Sequence, residues 1–150
     1  SFYALDIDPL CVAKNYNTNK QLGIKNILPL ILDLSNPSPS LGFANSERKS
    51  FFERFNGGLI VALAIIHHLR ITANIPLEML GKFFSDNSSQ LIIEFVPKED
   101  EMTQRLLVSR EDTFFDYDQE SFERIFSSFF KLIEKKELSG SKRSLYFFGR

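Results

Sequence analysis

Ala4 to Asn17 reads ALDIDPLCVAKNYN, and the reading of the whole chain starts from it. Phe2 to Ile7 is a short run of aromatic and branched residues, which predicts a strand. Asp8 and Pro9 follow at once. A carboxylate there can accept the free N–H groups of a helix start, and proline suits the first helical position. The spacing predicts a helix carrying Leu10, Val12, Ala13 and Tyr16 that ends before Gly23. A strand that runs directly into a helix is the opening of an α/β plan.

The same alternation continues along the chain. Ile27 to Leu34 predicts a second strand, with Pro29 near its start and Asp33 near its end, and Asn36 to Gly42 (NPSPSLG) predicts a loop. A short helix is expected around Glu47 to Phe55. Leu59 to Leu69 (LIVALAIIHHL) reads as one long strand covered on both faces. Pro76 to Phe84 reads as a helix, Gln90 to Val96 as a strand, and a further helix follows Pro97 with Glu99, Asp100 and Glu101 at its positive end. Asp118 is placed to cap a helix whose Phe122, Ile125, Phe126, Phe129 and Phe130 share one face. Lys131 to Leu138 and Arg143 to Phe148, joined by Ser139-Gly140-Ser141, predict an antiparallel hairpin. The expected fold is a single α/β domain over residues 1–150: a mostly parallel sheet, helices on both faces and an antiparallel hairpin at the C-terminal end.

Composition removes several classes. Eighteen Lys and Arg face nineteen Asp and Glu, so the net charge of −1 lacks the basic excess that a nucleic-acid partner demands. The longest apolar run, Leu59 to Ile66, is far short of the roughly 18 residues of a membrane span. Cys11 is the one cysteine, which excludes an internal disulfide and fits a cytoplasmic protein. Sixteen Phe and no Trp predict an aromatic-rich core. The chain opens on Ser1 and enters a strand immediately, as a piece of a longer protein would.

In open α/β sheets ligands sit beyond the carboxyl ends of strands. Asp6 ends the first strand and can accept both hydroxyls of a ribose. Asp33 ends the second and can accept an adenine amino group while Leu34 covers the ring; the alternative is an Asx turn into NPSP. His67 and His68 close the third strand, where successive side chains point to opposite faces, so the two are not expected to share a metal. Lys98, Glu99, Lys142 and Arg143 can flank a charged substrate. No G-x-S-x-G, P-loop or calcium loop is present, which disfavours covalent hydrolysis.

The order ALDID with PLCVAKNYN, LILDL with NPSP, and VALAIIHHL resembles the class I, Rossmann-like methyltransferases that use S-adenosylmethionine. The segments IIEFVPKED and SGSKRSLYFF resemble a bacterial, nodulation-protein-like group of them. The resemblance implies that Asp6 holds the ribose with Ile7 against the adenine, that Asp33 meets the adenine amine with Leu34 beside it, and that Ala64, His67 and His68 face the sulfonium and the acceptor. It implies methyl transfer by the longer protein to a small-molecule acceptor, with His68, or else His67, as the base that takes the acceptor's proton. The family's first strand and its glycine-rich turn have no counterpart here. That strand lies in the middle of the family's sheet, so its absence is expected to leave an unpaired edge, and this chain by itself is expected to be inactive. An unpaired edge or a Phe-rich surface also invites association between copies. A non-catalytic assembly domain built on those Phe-rich faces is the rival reading.

Overall fold

The Asp8 carboxylate accepts the Leu10 N–H at 2.8 Å and Pro9 takes the first helical position, so α1 (Pro9–Gln21) begins where the sequence places it. The computed structural model describes residues 1–55, 57–108 and 112–150, and the chain divides into two units, Ser1–Phe51 and Phe52–Arg150. In the first unit α1 connects β1 (Phe2–Asp6) to β2 (Ile27–Ile31), and the two strands pair in parallel with Phe2 opposite Ile27 and Asp6 opposite Ile31. Pro29 is accommodated within β2 because this strand pairs only with β1, so its missing N–H costs no ladder bond on the outer side.

The face of α1 differs from the expected one. Leu10 and Tyr16 are 78% and 57% exposed, whereas Asn19 is buried and its side-chain amide donates to Asn15 Oδ1 at 2.8 Å. Val12 and Asn15 turn toward Ala4 and Pro29, with which they line a small cavity. Beyond β2 the chain forms the expected loop, a 3-10 turn at Phe43–Asn45 and a bridge between Leu41 and Arg48. Tyr3 and Phe51 meet edge to face within the unit, at 6.4 Å. The helix expected around Glu47 to Phe55 is one turn only, α2 (Phe51–Arg54).

In the second unit β3 (Leu59–Ala62), β4 (Gln90–Phe95), β5 (Lys131–Glu137) and β6 (Ser144–Gly149) form one sheet in the order β3-β4-β6-β5. The β3–β4 pair is parallel; β4–β6 and β6–β5 are antiparallel. This sheet is therefore mixed, where a mostly parallel one was expected, and the predicted hairpin supplies the antiparallel part. The helices α3 (Leu77–Asn87), α4 (Glu101–Leu107) and α5 (Gln119–Ser127) complete the unit.

Asp118 caps α5 through the Ser121 N–H at 2.8 Å, and the spacing of Phe122, Ile125 and Phe126 buries all three on the sheet. Phe122 lies 5.0 Å from Phe95 and 5.1 Å from Tyr146, while Phe126 lies 6.0 Å from Phe148. Phe84 of α3 joins them against Phe126 at 6.3 Å. Most of the phenylalanines of this unit thus build its core, as an aromatic-rich composition predicts. Helices α3 and α5 share this one face; on the opposite side of β3, Leu59 and Val61 are exposed.

The largest correction concerns LIVALAIIHHL. The strand stops at Ala62. Ala64 takes a left-handed φ of 49°, the backbone turns helical, and His68–Thr72 form a π-helical turn. An unbroken apolar run fits a buried helical segment as well as a strand, and Ile66, Leu69 and Ile71 are buried at helical spacing.

The sheet edges differ in character. β5 guards its free edge with Lys131, Lys135 and Lys136 and a bulge between Leu132 and Glu134. Among the described residues β1 pairs with β2 alone, and β3 with β4 alone. Their sequences, FYALD and LIVA, carry neither lysine nor bulge.

Candidate functional site

Asp6 and Asp33 both lie in the first unit, at the carboxyl ends of two parallel strands: Asp6 is the last residue of β1, and Asp33 follows the end of β2 by two residues. The ladder continues one step past Ile31, through the Leu32 N–H to the Asp6 carbonyl at 2.9 Å, which brings both acids to the same end of the strand pair. Asp6 Oδ1 accepts the Asp8 N–H at 2.9 Å, so the side chain braces the strand-to-helix turn. Asp33 Oδ1 accepts both the backbone N–H and the hydroxyl of Ser35, at 2.8 and 2.6 Å. Those bonds hold its carboxyl below the usual carboxylate range, with the Ser35 hydroxyl as the main cause. The Asx-turn alternative is thus realised, and the Asn36 backbone adds to it. Ile7 is exposed beside Asp6, and Leu34 is half-buried beside Asp33.

A cavity of about 170 Å³ borders Asp6 and is closed by Ala4, Leu5, Cys11, Val12, Asn15 and Pro29. The Cys11 thiol donates to Asp8 Oδ2 at 3.4 Å, and this bond raises its pKa. A thiol held protonated is a poor nucleophile.

Ala64, His67 and His68 lie in the second unit. Because the chain has already turned helical, the two imidazoles do not point to opposite faces; their ring centroids are 4.2 Å apart. His68 is exposed, whereas His67 is 2% exposed and its Nδ1 has no hydrogen-bond partner among the described residues. Burial, reinforced by His68 and Arg143 and opposed by Asp100, lowers the His67 pKa to about 4. Among the described residues no group of three or more His, Cys, Asp or Glu could hold a metal.

The sequence reading missed the group that organises this end of the sheet. Glu94, 7% exposed at the end of β4, accepts the Ala64 N–H through Oε2 at 2.7 Å and Arg143 Nη1 through Oε1 at 3.2 Å. Arg143 also donates through Nε and Nη2 to Asp100, at 2.7 and 3.1 Å. Asp100 in turn caps α4 through the Met102 N–H, and the Arg143 bond holds its carboxyl below the usual range. Arg143 is therefore engaged in the fold and does not wait for a charged substrate; Lys98 is likewise paired, with Asp112 at 2.8 Å. The signal in the sequence was an acid at the end of a core strand, which needs a buried cation.

The neutral state of His67 has a consequence for stability. Its folded pKa lies below the ordinary value of 6.5, so between pH 6.5 and 4 the unfolded chain binds more protons than the folded one. Stability then rises with pH across that window, and roughly 2–3 kcal/mol is lost on going down through it. Urea unfolding at pH 7 and pH 4.5 should show this loss, and His67→Leu should flatten the dependence within that range. An equal slope in the variant would remove His67 as the cause.

No protein-family model matches the chain. A curated relative, nodulation protein NoeA of Rhizobium meliloti (strain 1021), is 43% identical over 145 residues, covering 97% of this chain and 30% of that protein. Among solved structures, a 2.2 Å crystal structure of WbdD superposes with a TM-score of 0.61 at 16% identity, over 98% of this chain and 30% of WbdD. A structure described as the bifunctional kinase-methyltransferase WbdD gives 0.59 at 14% identity, over 98% of this chain and 29% of that one. The Pnkp1/Rnl/Hen1 RNA repair complex gives 0.50 at 12% identity, over 99% and 31%. No helix among the described residues is long and apolar enough to cross a membrane. The chain is similar in sequence to NoeA, shares an α/β fold with part of WbdD, and spans about 30% of the curated relative it matches.

Proposed function

We propose that this chain is the larger part of a methyltransferase domain in a longer cytoplasmic protein, which transfers a methyl group from S-adenosylmethionine to a small-molecule acceptor. The observation that carries the reading is the placement of two acids at the same carboxyl end of the parallel strands β1 and β2, with Asp6 closing β1 and Asp33 following β2. Ribose hydroxyls and an adenine amino group are hydrogen-bond donors, and acceptor-only carboxylates are the groups that suit them. Asp6 would hold the ribose and Asp33 the adenine amine, with Ile7 and Leu34 as apolar neighbours of the ring and Ala64 on the side of the sulfonium. The bound cofactor would supply an electrophilic methyl group.

What the chain itself does is position groups and manage a proton. His68 is exposed and is the nominated base; His67, buried and neutral far below pH 7, suits a packing role better. Among the described residues the outer edge of β3 carries neither lysine nor bulge, which supports a further strand contributed by sequence outside this chain, as does the lack of any glycine-rich turn for the methionine end of the cofactor. The same edge supports association between copies of the chain when that strand is absent.

In the longer protein, Asp6→Asn should weaken S-adenosylhomocysteine about tenfold, the loss expected for a charge-assisted hydrogen bond. His68→Ala should leave that affinity unchanged and lower turnover. Unweakened binding in Asp6→Asn would remove the ribose role, and unchanged turnover in His68→Ala would remove His68 as the base.

A further inference from the structure

Ala64 has a conformation that a Cβ disfavours, with φ at 49°, so something other than local preference must hold it. Its N–H is taken by Glu94, a residue 30 positions away at the end of the neighbouring strand. Glu94 in turn is fixed by Arg143, 49 positions further along, whose Nε and Nη2 already donate to Asp100. The sheet does not need this carboxylate. The register of β4 with β6 is set by backbone pairing, with Glu94 opposite Leu145, and Arg143 keeps two bonds to Asp100 without it. What depends on Glu94 is the exposed turn of Leu63 and Ala64, which ends β3 and leads into the helical turn bearing His68.

We propose that Glu94 and Arg143 are positioning residues: the carboxylate fixes the turn after β3, the guanidinium fixes the carboxylate, and His68 is thereby presented beyond the strand end. The inference rests on the reading of that turn as the reacting edge of the sheet. A buried acid that accepts one backbone N–H and one guanidinium N–H is a firm bridge, because each bond is charge-assisted and the carboxylate between them is shielded from water.

Amide hydrogen exchange measured by NMR on this chain separates positioning from bulk stability. In Glu94→Met the Ala64 amide should exchange at least about tenfold faster, the equivalent of one lost charge-assisted bond. In Glu94→Gln the acceleration should be smaller than in Glu94→Met, because the single amide oxygen can still accept from Ala64 while the NH2 group can no longer accept from Arg143. Arg143→Lys, which cannot fork between Glu94 and Asp100, should fall between the two; it carries the comparison if Glu94→Met does not fold. The Ile93 and Tyr146 amides of the sheet should be unchanged throughout. An unchanged Ala64 amide in Glu94→Met and Arg143→Lys, or an acceleration shared equally by Ile93 and Tyr146, would overturn the proposal.

Turnover of the longer protein should fall in the same order, Glu94→Gln least and Glu94→Met most. Should the longer protein fail to bind S-adenosylhomocysteine at all, the methyl-transfer reading falls, while the Ala64 exchange still decides whether these residues position the turn.

Discussion

Phe122→Ala should cost about 3–5 kcal/mol, the range for removing a fully buried aromatic side chain. Phe122 is 0% exposed and sits among Phe95, Phe126, Tyr146 and Phe148, the nearest ring at 4.3 Å. Its loss would open a void bounded by α5 and the middle strands of the sheet, which can collapse little because those strands are pinned by backbone pairing. Against a total stability on the order of 5–15 kcal/mol, a change of this size leaves the second unit marginal. The midpoint of thermal unfolding should fall by at least about 10 °C, whereas Phe122→Leu, which keeps most of the volume, should cost under about 1.5 kcal/mol. A fall of only a degree or two in Phe122→Ala would mean that α5 does not dock through this ring.

Arg70→Ala is expected to have the next largest effect. The guanidinium is held on three sides: Nε and Nη2 donate to Asp116 at 3.1 and 2.7 Å, Nη1 donates to Asn74 at 3.1 Å, and its carbon lies 4.8 Å over the Phe114 ring. These contacts tie the π-helical turn His68–Thr72 to the segment around Phe114 to Tyr117. Breaking a fully buried ion pair costs about 3–5 kcal/mol, but the Asp116 side chain is 39% exposed and can rehydrate. The expected loss is therefore about 2 kcal/mol, read as a lower urea midpoint at constant slope. Arg70→Lys should lose about half as much, since an ammonium cannot reproduce the fork to Asp116 and the stack on Phe114. A change in Arg70→Ala within about 0.5 kcal/mol would show that the pair is spent on geometry alone.

The parts of the fold that the sequence made legible are those governed by short-range chemistry. Asp8-Pro9 and Asp118 cap their helices through contacts two or three residues away, and the Phe122, Ile125, Phe126 spacing needs only the helical period to declare its face. The hairpin of β5 and β6 is equally local. The misreadings arise where a distant residue decides. LIVALAIIHHL contains nothing that stops a strand at Ala62; the stop is held by Glu94 across the sheet, and no pattern within those eleven residues can report that. Arg143, taken for a substrate-facing charge, is satisfied by Glu94 and Asp100 from two other elements. Leu10 and Tyr16 fit the period of a buried helix face, yet Asn15 and Asn19 turn inward by pairing with each other.

Of the candidate site, the positions of the acids were legible: a strand-end acid is visible in a short window, and Asp6 closes β1 while Asp33 follows β2. The geometry of the histidines was not: a strand would separate the rings, whereas the helical turn brings their centroids to 4.2 Å and buries His67 alone. Among the described residues β3 pairs with β4 alone and its sequence, LIVA, is apolar, while β5, the terminal strand of the four-stranded sheet, carries lysines and a bulge.

The central claim, that Asp6 and Asp33 belong to an adenosyl-binding site completed by sequence outside this chain, is tested most directly by calorimetric titration of S-adenosylhomocysteine. The longer protein and the 150-residue chain would be titrated side by side. Micromolar binding to the longer protein, with little or none to the chain alone, is the predicted result. No binding to either would contradict the account and favour an assembly role for the domain.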